Sequence, residues 1–403
     1  MVKSGHFPVR ASRESAVYRC GEDICFQVVP GAKGVYTVND GQTESPEMNF
    51  AGDIILRAEK PGFILLKVQG RYRNGKPFET LAGAAVEPEK IRPGTFAPDD
   101  FDQFWQNELD KLKSGKLEVI SCTPVAENYL PKDIAAFDIH LSRCGIQASG
   151  FMAMPRNAGK GTLPGVLSFL GASKVSSELE IAVKDAKKLR AVSFNLNFHG
   201  LENFPERRPE LLAPAREQVE NYHFLNAGDP QKYEMRKIFL RGVIAADFIK
   251  SLPEFNGNLS VWGGSMGGCQ SIVASVLNPD VKFCWATAGA MCDHHGREAG
   301  HLPGWPNLFN NPEVDDIAKS VSPYFDMVNF ASRIKCPVVM AVGFIDTITP
   351  PASTYSAYNS LTVSNKRMLH TVTGGHGPLL DKNECCVFDL GREFLDEAVK
   401  KQH

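Results

Sequence analysis

The sequence lacks the features that mark several classes of protein. Its 403 residues contain no run of about eighteen apolar residues, which a membrane-spanning helix needs. The N-terminal segment has no apolar core of the kind that a signal peptide carries, so a cytoplasmic protein and an exported one that has lost its leader are both open. The formal net charge is only −2, and no basic excess suggests nucleic acid or an anionic membrane surface. We therefore expect a neutral or mildly polar partner.

Zinc and redox motifs are also missing. The ten cysteines are scattered without a CxxC pair, which argues against a zinc ribbon or a dithiol redox site. Three histidines share one polar segment, His294, His295 and His301, but their spacing matches no zinc signature. We predict no metal site and interpret this segment as a polar loop near the mouth of a pocket. Cys20 and Cys25 form a small disulfide only if the protein is exported.

Residues 1–92 have the pattern of a small β domain. Short runs of alternating apolar residues recur, and turn residues separate them. The runs span residues 24–29, 34–38, 52–58, 62–69 and 80–86. This spacing predicts an antiparallel sandwich of immunoglobulin-like size. No catalytic cluster is visible in it, so a packing or spacer role and a carbohydrate-binding role are both open.

From residue 93 to residue 403 the pattern is that of an α/β domain. A Pro- and Gly-containing linker leads to a helix predicted over 101–113, with Asp99 and Asp100 as its cap. Apolar strand-like runs then alternate with longer helical stretches, which indicates a mostly parallel sheet covered on both faces. The predicted strands are 165–170, 191–196, 259–262, 283–288, 337–342 and 368–373, and the predicted helices include 237–251 and 267–277.

A G-x-S-x-G motif follows one of these strands. The strand at 259–262 runs into Gly263, Ser265 and Gly267, and an apolar helix comes directly after them. This strand–turn–helix setting is that of the nucleophile elbow of the α/β-hydrolase fold. Side chains at 263 and 267 would collide with the neighbouring strand and helix, which explains both glycines. We predict that Ser265 is a nucleophile, and that the helix N-terminus beneath it favours developing negative charge.

The other members of a catalytic triad follow later strands. A serine hydroxyl needs a base to take its proton, and that base needs an acid to hold one tautomer. In α/β-hydrolases the acid follows the serine, and the histidine follows the acid. Asp346 comes after the penultimate predicted strand, and His376 comes after the last one among glycines that include Gly377. We predict these two as acid and base, whereas Asp315 and Asp316 precede a helix and are better explained as caps.

Two backbone amides and two side chains complete the predicted site. The oxyanion of acyl transfer needs two N–H donors. We expect them from Met266, which follows the nucleophile, and from Ala172, in the loop after strand 165–170. His199 follows a strand on the pocket side, where it either contacts substrate or forms a surface turn. Trp305 either offers an aromatic plate to a sugar ring or packs in the core.

Together these residues resemble the acetyl xylan esterase and cephalosporin C deacetylase family, carbohydrate esterase family 7. The resemblance covers about residues 97–395. It rests on the helix that begins at 101–105, on the elbow at 263–268 and on a long collinear stretch over 324–359. It implies an α/β-hydrolase that removes acetyl groups from small acetylated sugars without a cofactor, often as a ring-like homo-oligomer.

Three places depart from the family pattern. The HGY turn, which carries an oxyanion amide, is here Leu170-Gly171-Ala172, so the backbone donor is kept and an aromatic wall of the acyl pocket is lost. The DxRGxG turn appears at 195–200 without its arginine, and Met266 replaces the usual Gln. The resemblance therefore implies retained catalytic machinery in a pocket with a changed lining. A peptidase on the same fold and a catalytically silent sugar-binding protein are the alternatives.

Overall fold

The computed structural model describes residues 7–206, 208–312, 314–376 and 387–403. Its N-terminal part consists of short strands. They are β1 Val9–Ala11, β2 Val17–Tyr18, β3 Asp23–Val28, β4 Lys33–Asn39, β5 Met48–Phe50, β6 Ile54–Arg57, β7 Gly62–Arg71 and β8 Pro77–Val86. The five runs predicted from the sequence correspond to β3, β4, β6, β7 and β8. The strands β1, β2 and β5 escaped prediction because two or three residues are too few to show an alternation.

These strands form two sheets around one apolar core. In the described residues, β1, β3 and β6 make one sheet, and the other has the order β2-β8-β7-β4-β5. The pairings are antiparallel, apart from the short parallel contact of β2 with β8. Phe26 from one sheet and Leu66 and Val68 from the other are fully buried in a shared cluster. The predicted β-sandwich is confirmed.

The core of the sandwich continues into the α/β region. The ring of Phe63 on β7 lies 5.1 Å from that of Phe344 and 5.5 Å from that of Tyr355, centroid to centroid. On β8, a Cβ added to Gly83 would lie only 2.7 Å from the carbonyl oxygen of Phe344. The two regions therefore pack tightly at this boundary. The division of the chain at residue 92 stays a prediction.

The α/β region contains the longer elements. Its helices are α1 Phe101–Ser114, α2 Leu179–Leu189, α3 Pro209–Gln218, α4 Glu234–Ser251, α5 Met266–Leu277, α6 Asp316–Val321, α7 Met327–Ala331, α8 Pro351–Ser360 and α9 Arg392–Lys400. Its strands are β9 Glu118–Pro124, β10 Ile134–Arg143, β11 Ile146–Pro155, β12 Leu163–Phe169, β13 Val192–Asn197, β14 Phe255–Gly264, β15 Val281–Thr287, β16 Val338–Gly343 and β17 Lys366–Thr371. Among the described helices, none has the length and apolar character to cross a membrane.

The strands of this region form one sheet. Over the described residues its order is β17-β16-β15-β14-β12-β13-β11-β10-β9. The six strands predicted from the sequence, β12 to β17, run parallel to their neighbours in this set, whereas β9, β10 and β11 are antiparallel. The mostly parallel sheet is confirmed. The antiparallel strands were missed because the prediction relied on continuous apolar runs, and β9 is an exposed edge strand.

Helices cover both faces of the sheet. Alternate residues of β15 point to different cores: Cys284 faces the cluster that contains α4 and α5, and Trp285 faces the cluster that contains α9. Each helix buries its apolar side chains against its own face, as Leu395 does on α9. This three-layer arrangement is that of an α/β fold. It brings the carboxyl ends of β14, β16 and β17 to one edge of the sheet.

Two predicted helix caps have different outcomes. Asp100 occupies the N-cap position of α1, but its side chain makes no cap bond and instead accepts a hydrogen bond from the hydroxyl of Tyr324. The carbonyl of Tyr324 also accepts from Trp105 Nε1 at 2.9 Å, so α1 is fastened to this loop. Asp315 does cap α6, because its Oδ1 accepts from the amide of Ala318 at 2.8 Å.

Candidate active site

Ser265 lies in a sharp turn between β14 and α5. Its backbone has φ 58° and ψ −121°, and such a conformation costs a non-glycine residue about 1–3 kcal/mol. A Cβ at Gly263 would lie 2.4 Å from the carbonyl oxygen of Gly267, and one at Gly267 would lie 2.3 Å from that of Phe169. Both glycines are therefore required by close backbone contacts. The turn leaves Ser265 8% exposed at the carboxyl end of its strand.

Backbone hydrogen bonds from β15 and the loop after it hold this turn. The amide of Ser265 donates to the carbonyl of Thr287 at 2.9 Å, and the carbonyl of Ser265 accepts from the amide of Ala290 at 3.0 Å. Strained backbone persists only where the surroundings over-determine it. These two bonds therefore hold the backbone of Ser265 in its strained conformation.

Asp346 lies in the loop that follows β16 and is almost completely buried. Its Oδ1 accepts the backbone amides of Ile348 and Thr349, both at 2.9 Å, and its Oδ2 accepts the hydroxyl of Thr349 at 2.9 Å. Buried carboxylates need such partners, since a charge without them is expensive to remove from water. The bonds also fix the direction in which Oδ2 points.

His376 completes a chain of hydrogen bonds between serine and aspartate. Its Nε2 lies 2.9 Å from Ser265 Oγ, and its Nδ1 lies 2.9 Å from Asp346 Oδ2. The carboxylate only accepts, so Nδ1 carries the proton and Nε2 is free to accept from the serine. The ring of Phe388 meets the imidazole edge to face at 5.3 Å. Gly377, predicted to be part of this loop, lies outside the described residues.

The loops that carry Asp346 and His376 are bonded to each other. The amide of Phe344 donates to the carbonyl of Thr371 at 3.0 Å, and the amide of Ile345 donates to that of Gly374 at 3.2 Å. The two side chains thus come from neighbouring loops with a shared backbone ladder. This ladder explains how residues thirty positions apart keep a hydrogen-bond distance.

The two residues predicted to supply oxyanion amides lie on either side of Ser265. Met266 is the first residue of α5, so its amide is at a helix N-terminus, where partial positive charge accumulates. A Cβ on Gly171 would lie 3.9 Å from the Cβ of Ser265, so the loop that leads to Ala172 passes directly beside the serine. The arrangement places both candidate donors near the nucleophile.

The predicted substrate contacts, Trp305 and His199, have different surroundings. Trp305 is partly buried, and it lines a cleft of about 440 Å³ together with Ala172 and Tyr222. His199 is buried one ring further in, with its centroid 4.7 Å from that of Tyr222. Burial, and to a smaller extent the charge of Arg241, lowers the pKa of His199 to about 3. It is therefore neutral at physiological pH and does not form a surface turn.

The segment with three histidines is mixed: residues 297–299 are exposed, whereas Asp293 and His301 are buried. Its predicted place at the mouth of the pocket stays a prediction. Asp293 accepts the amides of Gly94 and Thr95 at 2.9 and 2.8 Å and pairs with His301 Nε2 at 2.7 Å. These bonds allow the polar groups to leave water. His294 is also buried. Among the described residues no group of three metal-binding side chains occurs.

Sequence reasoning missed Thr349 and the aromatic groups around the site. The hydroxyl of Thr349 contacts both Asp346 Oδ2 and His376 Nδ1, the latter at 3.0 Å. The spacing Asp-x-x-Thr is a usable signal, because a side-chain carboxylate often bonds the backbone and hydroxyl groups two or three residues later. Tyr222 and Phe388 had no such signal, since neither lies in a sequence motif with the residue that it contacts.

Comparison with known proteins assigns the chain to a family. Residues 86–381 match the family model for acetyl xylan esterase (AXE1). The chain belongs to the acetyl xylan esterase family. It is therefore a carboxylic ester hydrolase, and Ser265, Asp346 and His376 all fall within the matched residues. Nearly all of the sandwich precedes them.

Individual relatives agree with this assignment. The acetyl esterase Axe7A of Xylanibacter ruminicola is 30% identical over 327 residues, which cover 77% of this chain and 70% of that protein. The structure of an acetyl xylan esterase from Paenibacillus sp. R4 matches with a TM-score of 0.64 at 21% identity, covering 78% of this chain and 98% of the other. For acetyl xylan esterase 1 from Thermoanaerobacterium sp. JW/SL YS485 the values are 0.59, 20%, 77% and 98%. The two structures support the fold.

Proposed function

We propose that this protein is a serine esterase that removes acetyl groups from acetylated sugars or oligosaccharides. The observation that carries the proposal is the hydrogen-bonded chain of Ser265, His376 and Asp346, with 2.9 Å at each link. Membership of the family supplies the reaction class, and the acetyl esterase relative suggests the acyl group. No cofactor takes part in this mechanism.

Ser265 performs the first half of the reaction. Its Oγ attacks the carbonyl carbon of the ester while its proton passes to His376 Nε2, and Asp346 stabilises the imidazolium that forms. The bond between the carbonyl carbon and the alcohol oxygen then breaks, and Nε2 returns the proton to the leaving alcohol. The acetyl group remains on Ser265 as an ester.

Water completes the second half. His376 takes a proton from a water molecule, whose oxygen attacks the acetyl-serine, and the bond to Oγ breaks as the proton returns to Ser265. In both halves the negative oxygen of the tetrahedral intermediate is held by the amides of Met266 and Ala172. Such preorganised donors usually supply the largest single part of the rate enhancement.

The alcohol part of the ester lies in the cleft beside Ala172. Trp305 offers its ring to the apolar face of a sugar, which is how aromatic side chains commonly hold pyranoses. His199 supports this wall from behind through Tyr222. The changed turn at 170–172 lacks the aromatic wall of the acyl pocket, so the expectation of an acetyl group rests on the acetyl esterase relative.

Hydrolysis of nitrophenyl acetate, butyrate and octanoate tests the proposal. The wild type is expected to cleave the acetate best, and Ser265→Ala is expected to lose activity by a factor on the order of 10⁴ or more. Ser275→Ala is the matched control, because Ser275 lies ten positions further along the chain in α5, where its hydroxyl donates to the carbonyl of Ser271 at 2.8 Å and contacts the thiols of Cys284 and Cys336 rather than the triad. A folded wild type that is inert toward all three esters, and that still binds sugar, would favour the silent sugar-binding alternative.

A further inference from the structure

The cleft beside the nucleophile has polar atoms without partners. Its walls include Ala172, next to the serine, and Trp305. The amide of Trp305 donates to the carbonyl of Ile348 at 3.1 Å, in the loop 344–350 that carries Asp346 and is called the acid loop below. Within the described residues, the Tyr222 hydroxyl and Nδ1 of His223 are buried and make no hydrogen bond. Buried polar groups are normally satisfied, so these two atoms point to a ligand with hydroxyl groups.

The cleft also carries positive charge. Lys174 and Arg216 line it, and no carboxylate does so among the described residues. Lys174 is already bonded to Glu178 at 2.9 Å, whereas Arg216 forms no ion pair in the described part of the chain. A planar guanidinium suits a carboxylate, which it can bind through two parallel hydrogen bonds.

We propose that this cleft binds a uronate-containing sugar, with Arg216 contacting the carboxylate and Trp305 and His223 contacting the ring. The ester that Ser265 attacks would then lie on, or next to, an acidic sugar. This inference rests on the proposed function, because the cleft adjoins the serine. Beyond that function, the enzyme prefers esters whose sugar carries a carboxylate over esters of neutral sugars.

Two acetylated oligosaccharides test the preference. One contains a uronate branch; the other is the same acetylated oligosaccharide with its carboxylate converted to the primary amide, so that the acetyl groups are unchanged and the negative charge is removed. We expect the wild type to favour the acidic substrate about fivefold in kcat/KM at low salt, through KM, and to lose most of that preference at high salt. Arg216→Gln is expected to bring the ratio close to one.

Arg208→Gln is the matched control, since Arg208 lies outside the cleft and pairs with Glu206 and Glu210. It should keep the preference of the wild type. An enzyme that is active on nitrophenyl acetate but shows equal kcat/KM for both oligosaccharides overturns this inference alone. Inactivity on nitrophenyl acetate would instead overturn the proposed esterase function.

A second, independent observation concerns the sandwich. Phe63 and Gly83 contact Phe344, which comes two residues before Asp346. On its other side, the same loop is bonded to the segment that leads to His376. The acid loop is thus held between the sandwich and the base-carrying loop.

We infer that Gly83 and Phe63 are positioning residues for the catalytic acid. A Cβ at Gly83 would have to displace the backbone of Phe344, which already lies 2.7 Å from that position. Displacement of this backbone would move Asp346 relative to His376. Errors of about 1 Å in catalytic geometry reduce rates by as much as about 100-fold.

Gly83→Ala tests this role against Gly62→Ala on the adjacent strand, where an added Cβ meets nothing within 4 Å. We expect Gly83→Ala to lower kcat about tenfold or more with KM nearly unchanged, and Gly62→Ala to match the wild type. In an Asp346→Asn background, Gly83→Ala is expected to lose most of its effect on kcat, because both changes disturb one pair.

A simple loss of stability would give a different pattern. Full additivity of Gly83→Ala with Asp346→Asn, or equal kcat in Gly83→Ala and Gly62→Ala, overturns the positioning role. Where Gly83→Ala does not fold, Phe63→Leu takes its place, because it removes the ring contact with Phe344 and keeps an apolar side chain. The same additivity measurement then decides.

Discussion

The sandwich and the carboxyl ends of the parallel strands, called the sheet edge here, place their charged groups differently. In the sandwich, charged pairs such as Arg57 with Asp23 lie at the surface, and the interior is apolar. At the sheet edge, Asp346, Asp293 and Asp326 are buried and accept several hydrogen bonds each. The first region is stabilised by area removed from water, whereas in the second region hydrogen-bond donors offset the cost of burying these carboxylates. The two should therefore respond differently to substitution.

The largest expected effect is on catalysis by the sheet edge. Asp346→Asn is expected to lower kcat by a factor on the order of 10³ to 10⁴, because the amide would turn a donor toward His376 Nδ1 and favour the wrong tautomer. Asp53→Asn is the counterpart in the sandwich, where Asp53 accepts the amide of Val28 at 2.9 Å. It should leave kcat unchanged. Comparable loss of kcat in both variants would contradict the assignment of the acid.

The next effect is on the stability of the sandwich. Phe26 is fully buried between the sheets, so Phe26→Ala is expected to lower the free energy of unfolding of this region by about 3–5 kcal/mol. Denaturant titration followed by fluorescence and circular dichroism measures this change. Phe96→Ala, at a side chain that is 72% exposed, should change it by less than about 0.5 kcal/mol. Equal stability of both variants would refute the apolar-core description.

The dependence of stability on pH should differ between the apolar core of the sandwich and the buried carboxylates near the active site. Burial, with the neighbouring Asp293 carboxylate, raises the pKa of Asp326 to about 7. Its contribution to stability is therefore complete below its ordinary pKa of 3.8 and is lost as the pH rises through about 7. The stability of the wild type relative to Asp326→Asn should fall between pH 5 and pH 8. Phe26→Ala adds no titratable group, so its deficit should stay constant over that range.

The smallest effect concerns a surface pair. Asp23 and Arg57 are both well exposed, with 2.6 Å between their charged atoms, and water screens such pairs. Asp23→Asn is expected to leave both the melting temperature and kcat at their wild-type values. A clear drop in melting temperature would show that the surface of the sandwich contributes more than this comparison allows.

Local patterns predicted the parts of the site that depend on neighbours in sequence. The elbow around Ser265 is a short strand–turn–helix motif, and Asp346 and His376 each follow an apolar strand, so chain order was enough to place them. The contact of Gly83 with Phe344 joins residues more than 250 positions apart, and no pattern within either segment records it. The cap of α1 failed for a similar reason, because Tyr324 takes the carboxylate of Asp100.

The positive φ of Ser265 implies a trade-off between the stability of the fold and catalytic activity. A glycine there would adopt φ 58° without the steric penalty that a serine meets. Ser265→Gly is thus expected to be both inert and somewhat harder to unfold. Because selection acts on hydrolysis rather than on thermal stability, the chain retains serine at this position although glycine would be less strained.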